Sequence, residues 1–159
     1  MMTPKTIIKA EDGKQDLWIT REFDLPLDLL FRAYVEPEIV EQWMGTKVLK
    51  LESKKHGSWQ IETSDAQGNV VFQAHGVIHE LIPNQNITRT FEMQQSPFGV
   101  QLECLAFESI TDDTSKLSIQ IIYRSNEQRD LMLKLPFAYG LNMAHNRLQD
   151  IVNKLNNLL

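Results

Sequence analysis

From Gln15 the chain alternates, with Leu17, Ile19 and Phe23 set between Thr20, Glu22 and Asp24. A period of two marks a strand with one buried face. At Pro26 the pattern changes: Leu27, Leu30, Phe31 and Tyr34 recur at spacings of three and four. Proline suits the first turn of a helix, where its missing N–H leaves nothing unpaired, so a helix is predicted to open there. Glu36-Pro37 breaks it and starts a second, in which Ile39, Val40 and Trp43 share a face and Gly45 makes the stop. Residues 1–14 are polar and lack a clear period, with only a ragged strand signal at 5–8.

A train of strand-like runs follows at 46–53, 58–63, 70–82, 86–95, 99–110 and 116–124. The turn-forming segments KKHG, SDAQGN, PNQN, SPFG and TDDTS separate them. Connections this short join antiparallel neighbours, so the runs predict a six-stranded meander. Ser125 to Gln128 has capping-box spacing, and a short helix through Lys134 follows before Pro136 interrupts it. The clearest helical pattern comes last. Phe137, Leu141, Ala144, Leu148, Ile151, Val152 and Leu155 form a stripe, with Asn142, Asn146, Arg147, Gln149, Asn153 and Lys154 away from it. About 22 residues make a rod of roughly 33 Å, long enough to cross a sheet.

Strand, two short helices, six strands and a long helix predict an α+β helix-grip fold. A curved antiparallel sheet of about seven strands would wrap the C-terminal helix, with two short helices after the first strand. The 159 residues suit one domain over 1–159, residues 1–14 being loosely ordered. Such an arrangement leaves room between helix and sheet, and pockets there are apolar with a few placed polar groups.

Charge and composition narrow the partners. A net charge of −5, with no Lys or Arg run as a local exception, argues against nucleic acid. Cys104 is the only cysteine, so an intrachain disulfide and zinc-type cysteine pairs are excluded. His75 and His79 lie four residues apart on one strand, about 13 Å along it, too far to share a metal; His56 falls in a turn. No metal and no cofactor is expected. The first residues lack the apolar run of a signal peptide, and no segment has the length of a membrane span, which predicts a cytoplasmic protein.

The stretches ITREFDLPLDLLFRAYVEPEIVEQWMG, HGSWQIE, HGVIHELIPNQNITRTFE and LPFAYGLNMAHNRLQDIVNKL carry a resemblance. In order and spacing they resemble the activator of heat-shock-protein-90 ATPase homologue-like family, within the START-like (SRPBCC) superfamily. The resemblance implies the helix-grip fold and places Trp43 and Met44 at a cavity entrance. Two positions depart from the family pattern: Trp43-Met44-Gly45 stands where Trp-Trp-Gly is common, and His56-Gly57 where Gly-Gly is common. A relative's ligand is therefore not carried across, and no residue here specifies a chaperone partner.

The leading reading is a noncatalytic binder of a small hydrophobic molecule. Its wall candidates are Trp43, Met44, Trp59, Phe91, Met93, Tyr123, Phe137 and Leu141, with Arg89 and His145 as polar anchors. Trp43 and Met44 either line a mouth or plug the core's open end. Arg89 alternates with Ile87, Phe91 and Met93, so it points inward; there it meets a ligand carboxylate or an internal acid such as Glu103 or Glu108, or else it snorkels to the sheet edge. His145 lies beside the stripe of the long helix, either partly exposed or facing the cavity. Cys104, grouped with Val100, Leu102 and Ala106, reads as a buried structural thiol, and Gly76 as a strand bend or bulge. The alternatives are a cyclase- or hydrolase-like enzyme using His145, Arg89 or Glu103, and a co-chaperone-like interaction module. A monomer and a homodimer both fit the sequence.

Overall fold

A computed structural model describes residues 5–158. Eight strands form one antiparallel sheet. They are β1 (Ile7–Lys9), β2 (Asp16–Phe23), β3 (Lys47–Leu51), β4 (Ser58–Ser64), β5 (Val70–Ile82), β6 (Asn86–Met93), β7 (Val100–Ser109) and β8 (Ser115–Ile122). Their spatial order is β1-β2-β8-β7-β6-β5-β4-β3, so β3 to β8 run as the expected meander and β2 closes beside β8. Helices α1 (Leu27–Val35) and α2 (Pro37–Met44) follow β2, and α3 (Asn126–Leu133) and α4 (Phe137–Asn157) end the chain. This is the helix-grip arrangement of START-like proteins, with one strand more than expected. The addition is β1, three residues pairing with Trp18, Ile19 and Thr20.

The helix boundaries follow their punctuation. Gly45 ends α2 in the left-handed conformation at φ 64°, its N–H donating to the Glu41 carbonyl. At α3 the capping box is half made: the Gln128 N–H donates to Ser125 Oγ at 3.1 Å. The Gln128 side chain reaches away instead, donating to the Pro97 carbonyl at 3.3 Å and tying α3 to the turn before β7.

The sheet buries Leu17, Ile19 and Phe23 of β2, Leu117, Ile119 and Ile121 of β8, Leu105 and Phe107 of β7, and Ile87 of β6. Leu30, Phe31 and Tyr34 of α1 and Leu148 and Val152 of α4 join them in one core. At about 1.5–3 kcal/mol for each fully buried large side chain, this apolar face is the main term favouring the fold.

Two facings differ from expectation. The inner face of β7 is Gln101, Glu103, Leu105 and Phe107, so Cys104, with Val100, Leu102 and Ala106, lies on the outer face and is only half-buried. The apolar set misleads because the inner face carries two polar residues to hold Arg89. His145, by contrast, is fully buried. The centre of the buried face of α4 runs through His145, Leu148 and Val152, while Leu141, Ala144, Ile151 and Leu155 flank it half-buried.

Candidate functional site

The site lies where the end of α2 meets the β3 edge of the sheet. Trp43 is in the last turn of α2, its indole N–H donating to the Ala33 carbonyl at 2.7 Å and its ring 5.1 Å from that of Tyr34. Arg147 Nε of α4 donates to the Trp43 carbonyl at 3.0 Å, fastening this helix end. Met44 follows, half-buried. From the sheet come Val48 and Leu51 of β3, Trp59 and Ile61 of β4, and Arg89 of β6.

Trp59 lies flat across β5. Its indole N–H reaches past Gly76 and donates to the Thr90 carbonyl on β6 at 3.2 Å. A Cβ at Gly76 would overlap that carbonyl oxygen and stand 2.6 Å from the indole nitrogen. Gly76 therefore makes room for the indole rather than marking a bulge. The bulge in the β5–β6 ladder falls further on, between Ile78 and Glu80.

Arg89 lies over the Trp59 ring, with its guanidinium carbon 5.4 Å from the centroid. Its Nε donates to Glu103 Oε1 at 2.9 Å, Glu103 being directly opposite on β7. Glu103 Oε2 accepts from Gln101 Nε2 at 3.0 Å. The inward arginine thus has an internal acid, and the two ends of Glu103 are both engaged. Burial raises the pKa of the Tyr34 phenol, with the Glu103 charge reinforcing the shift and Arg89 opposing it. Burial likewise raises that of Tyr123, whose hydroxyl has no hydrogen-bond partner among the described residues.

The open space enclosed here is about 30 Å³, room for a water or two. Ligand pockets commonly run to several hundred Å³. The walls are built and the interior is nearly filled by its own side chains.

Of the expected residues, Trp43, Met44, Trp59 and Arg89 meet in this pocket. Phe91 stands behind Trp59, ring centroids 5.6 Å apart, and Met93 pairs further along β6 with Ala74. Tyr123 lies in the core beyond Glu103. Phe137 and Leu141 pack half-buried against the core, and α4 contributes no residue to the pocket lining. The cavity is therefore bounded by α2 and the β3–β4 edge rather than by the C-terminal helix.

His145 sits at the other end of the sheet, its ring edge against Phe23 of β2. Its Nδ1 is 2.6 Å from Thr6 Oγ1, while Nε2 has no partner among the described residues. Burial, with the charge of Arg21 adding to it, depresses the His145 pKa to about 3. Arg21 is an inward residue that sequence reading passes over. It is 3% exposed, donates through Nη1 to Asn142 Oδ1 at 3.2 Å and lies over Phe23 at 5.2 Å. Its position between Ile19 and Phe23 is the signal that reveals it. Arg129 of α3, also buried, donates to the Glu11 and Asp16 carbonyls at 2.6 and 3.0 Å and clamps the β1–β2 connection.

A family model for Activator of Hsp90 ATPase homolog 1-like protein matches residues 24–153. The chain belongs to this family. No curated protein matches it. Among solved structures, a protein from Mycobacterium smegmatis is similar at 17% identity, covering 93% of this chain and 96% of that one with a TM-score of 0.82. A Rhodobacter sphaeroides protein gives 18%, 94%, 99% and 0.81 in the same terms. An Arthrobacter aurescens protein gives 12%, 93%, 91% and 0.83. At such identities the likeness is one of fold. Of the two departures from the family pattern, Met44 lines the pocket, whereas His56 is exposed in its turn. His56 holds φ 67°, a conformation glycine adopts more cheaply. No helix among the described residues is long and apolar enough to cross a membrane.

Proposed function

We propose that this member of the Activator of Hsp90 ATPase homolog 1-like family binds a small, mostly apolar molecule in the pocket behind Met44. The observation that carries the reading is the lining: Tyr34, Val40, Trp43, Met44, Val48, Leu51, Trp59 and Ile61 surround one inward guanidinium. Binding requires the pocket to enlarge, and its most yielding wall is the one toward solvent. Met44 has an unbranched, adaptable side chain. β3 is the last strand of the sheet, bonded on one side only, and its register shifts between Val48 and Lys50. Local opening draws on such weakly braced elements. Native mass spectrometry of protein purified from its own host, followed by organic extraction, tests this. A stoichiometric small molecule supports the pocket; an unliganded mass together with no displacement of a fluorescent apolar probe removes it. A cytoplasmic location fits a chain whose single cysteine forms no internal bridge.

A second reading, a protein-interaction module, draws on a different surface. Leu131 and Leu133 of α3, Leu135 between the helices, and Tyr139 and Met143 of α4 are all exposed, Tyr139 by 70%. Tyr139 and Met143, four residues apart, share one face of α4, and exposed apolar side chains grouped in this way can mark interaction sites. Cross-linking in host lysate that captures one defined protein, and loses it in Leu135→Ser/Tyr139→Ser, would favour this reading. The enzyme reading is weaker, because His145, its best base, is sealed at the far end of the sheet from the pocket.

A further inference from the structure

We infer that the pocket behind Met44 selects molecules carrying one carboxylate on an apolar body, and that Arg89 receives the carboxylate. This rests on the binding reading above. The argument is an inventory of which hydrogen-bonding groups are already committed. Trp43 Nε1 is bonded to the Ala33 carbonyl at 2.7 Å and Trp59 Nε1 to the Thr90 carbonyl at 3.2 Å, so neither indole has an N–H for a ligand. Glu103 is 7% exposed, with one oxygen taken by Arg89 Nε and the other by Gln101 Nε2. Each Glu103 oxygen already accepts a bond from Arg89 or Gln101, so among the described residues no free carboxylate faces the pocket to attract an amine.

What remains is a set of donors. A guanidinium carries five N–H donors and no acceptor. In Arg89 only the Nε donor is used among the described residues, and the side chain borders the pocket. Its two terminal amino groups are the unspent end of the fork. A carboxylate takes two parallel N–H bonds from such an end, a geometry that an alcohol or an ester cannot reproduce. The Tyr34 phenol, kept protonated by burial, stands by the same pair. Lys50 lines the outer part of the pocket, its ammonium 3.6 Å from Glu52. An amine-bearing ligand would set its charge against Arg89 and Lys50.

The rest of the arrangement fixes the guanidinium in advance. Trp59 supplies a flat surface under it, and Glu103, itself held by Gln101, fixes its Nε edge. Glu103 also balances the charge while the pocket is empty, which a buried cation requires. The binding energy of the apolar body is then available to displace Met44, while the carboxylate fixes orientation.

The test is titration of the full chain with decanoate, decanol and decylamine, whose apolar bodies match, read by Trp fluorescence and calorimetry. Decanoate is expected to bind at least about tenfold more tightly than decanol, with decylamine weakest. Arg89→Lys keeps the charge and the Glu103 pairing but removes the fork, and should cut decanoate affinity about tenfold while leaving decanol unchanged. In Arg89→Met/Glu103→Gln, which keeps the interior neutral, decanoate should lose its advantage over decanol. Equal binding of decanoate and decanol by the natural sequence would overturn the carboxylate assignment and leave the apolar pocket standing. An unchanged decanoate affinity in folded Arg89→Lys would overturn the role of Arg89. Binding of none of the three would remove the pocket reading itself, and this inference with it.

Discussion

Two arginines point inward from the same sheet, and the protein treats them differently. Arg89, toward the β3 edge, has a carboxylate opposite it and borders a pocket. Arg21, toward the β1 edge, has no carboxylate partner among the described residues. It donates to an amide oxygen, lies on a phenyl ring and stands near a histidine held neutral. Burial draws its pKa down from the usual guanidinium value. Its Nε also lacks a partner among the described residues, and Arg21 is not among the residues lining the pocket behind Met44. An inward charge is therefore a poor sign of function by itself. An unspent donor that borders a pocket is a better one, and Arg89 has both.

The largest effect expected from breaking this comparison is at Arg89. Arg89→Met strands the Glu103 carboxylate in the interior and should cost about 3 kcal/mol in urea denaturation, with most of it restored when Glu103→Gln is added. Gly76→Ala comes next, because the new methyl meets the Thr90 backbone oxygen, which has no freedom to swing aside. A loss of about 2–3 kcal/mol is expected, with a shift in Trp59 emission as the indole leaves its seat.

The third effect belongs to the Arg21 end and appears with pH. His145 has a folded pKa of about 3 against an ordinary 6.5, so the unfolded chain takes up a proton that the folded one refuses. The stabilisation is complete above pH 6.5 and declines as pH falls from there toward 3, reaching a loss of about 2 kcal/mol at pH 5. Urea midpoints at pH 7, 6 and 5 check this, and His145→Gln should flatten the dependence. The smallest effect is expected from Arg21→Met, about 1 kcal/mol, because Asn142 Oδ1 still accepts from the Thr6 N–H at 2.9 Å and no carboxylate is orphaned. Equal losses for Arg21→Met and Arg89→Met would dissolve the distinction between the two ends.

Much of the fold was legible in the chain because its punctuation is local. Pro26, Pro37 and Gly45 mark helix limits through backbone geometry, and the change of period at Pro26 needs no tertiary information. β1 was barely legible: three residues at a sheet edge carry too short an alternation to register. The facing of β7 was misread for a physical reason, since its inner face gives two positions to polar groups that only Arg89, a strand away, requires. The pocket was half legible. Arg89 stood out from the alternation of β6, and the family resemblance placed Trp43 and Met44, but the space they enclose with Trp59 depends on how side-chain volumes add up across α2, β3 and β4. Spacing along one strand cannot report that sum, and so Val48, Leu51 and Ile61 were missed.

The open sheet has two free margins, and neither offers a template for another chain. β1 is three residues long, too short to seed an added ladder. β3 is broken in register between Val48 and Lys50, and Lys47 and Lys50 on it are exposed. Irregular, charged margins of this kind deter strand-to-strand growth. The broken register on which the proposed opening of the pocket draws thus also guards against fibrous association. If the pocket opens as proposed, a mutation that regularised β3 should both hinder that opening and raise the tendency to associate.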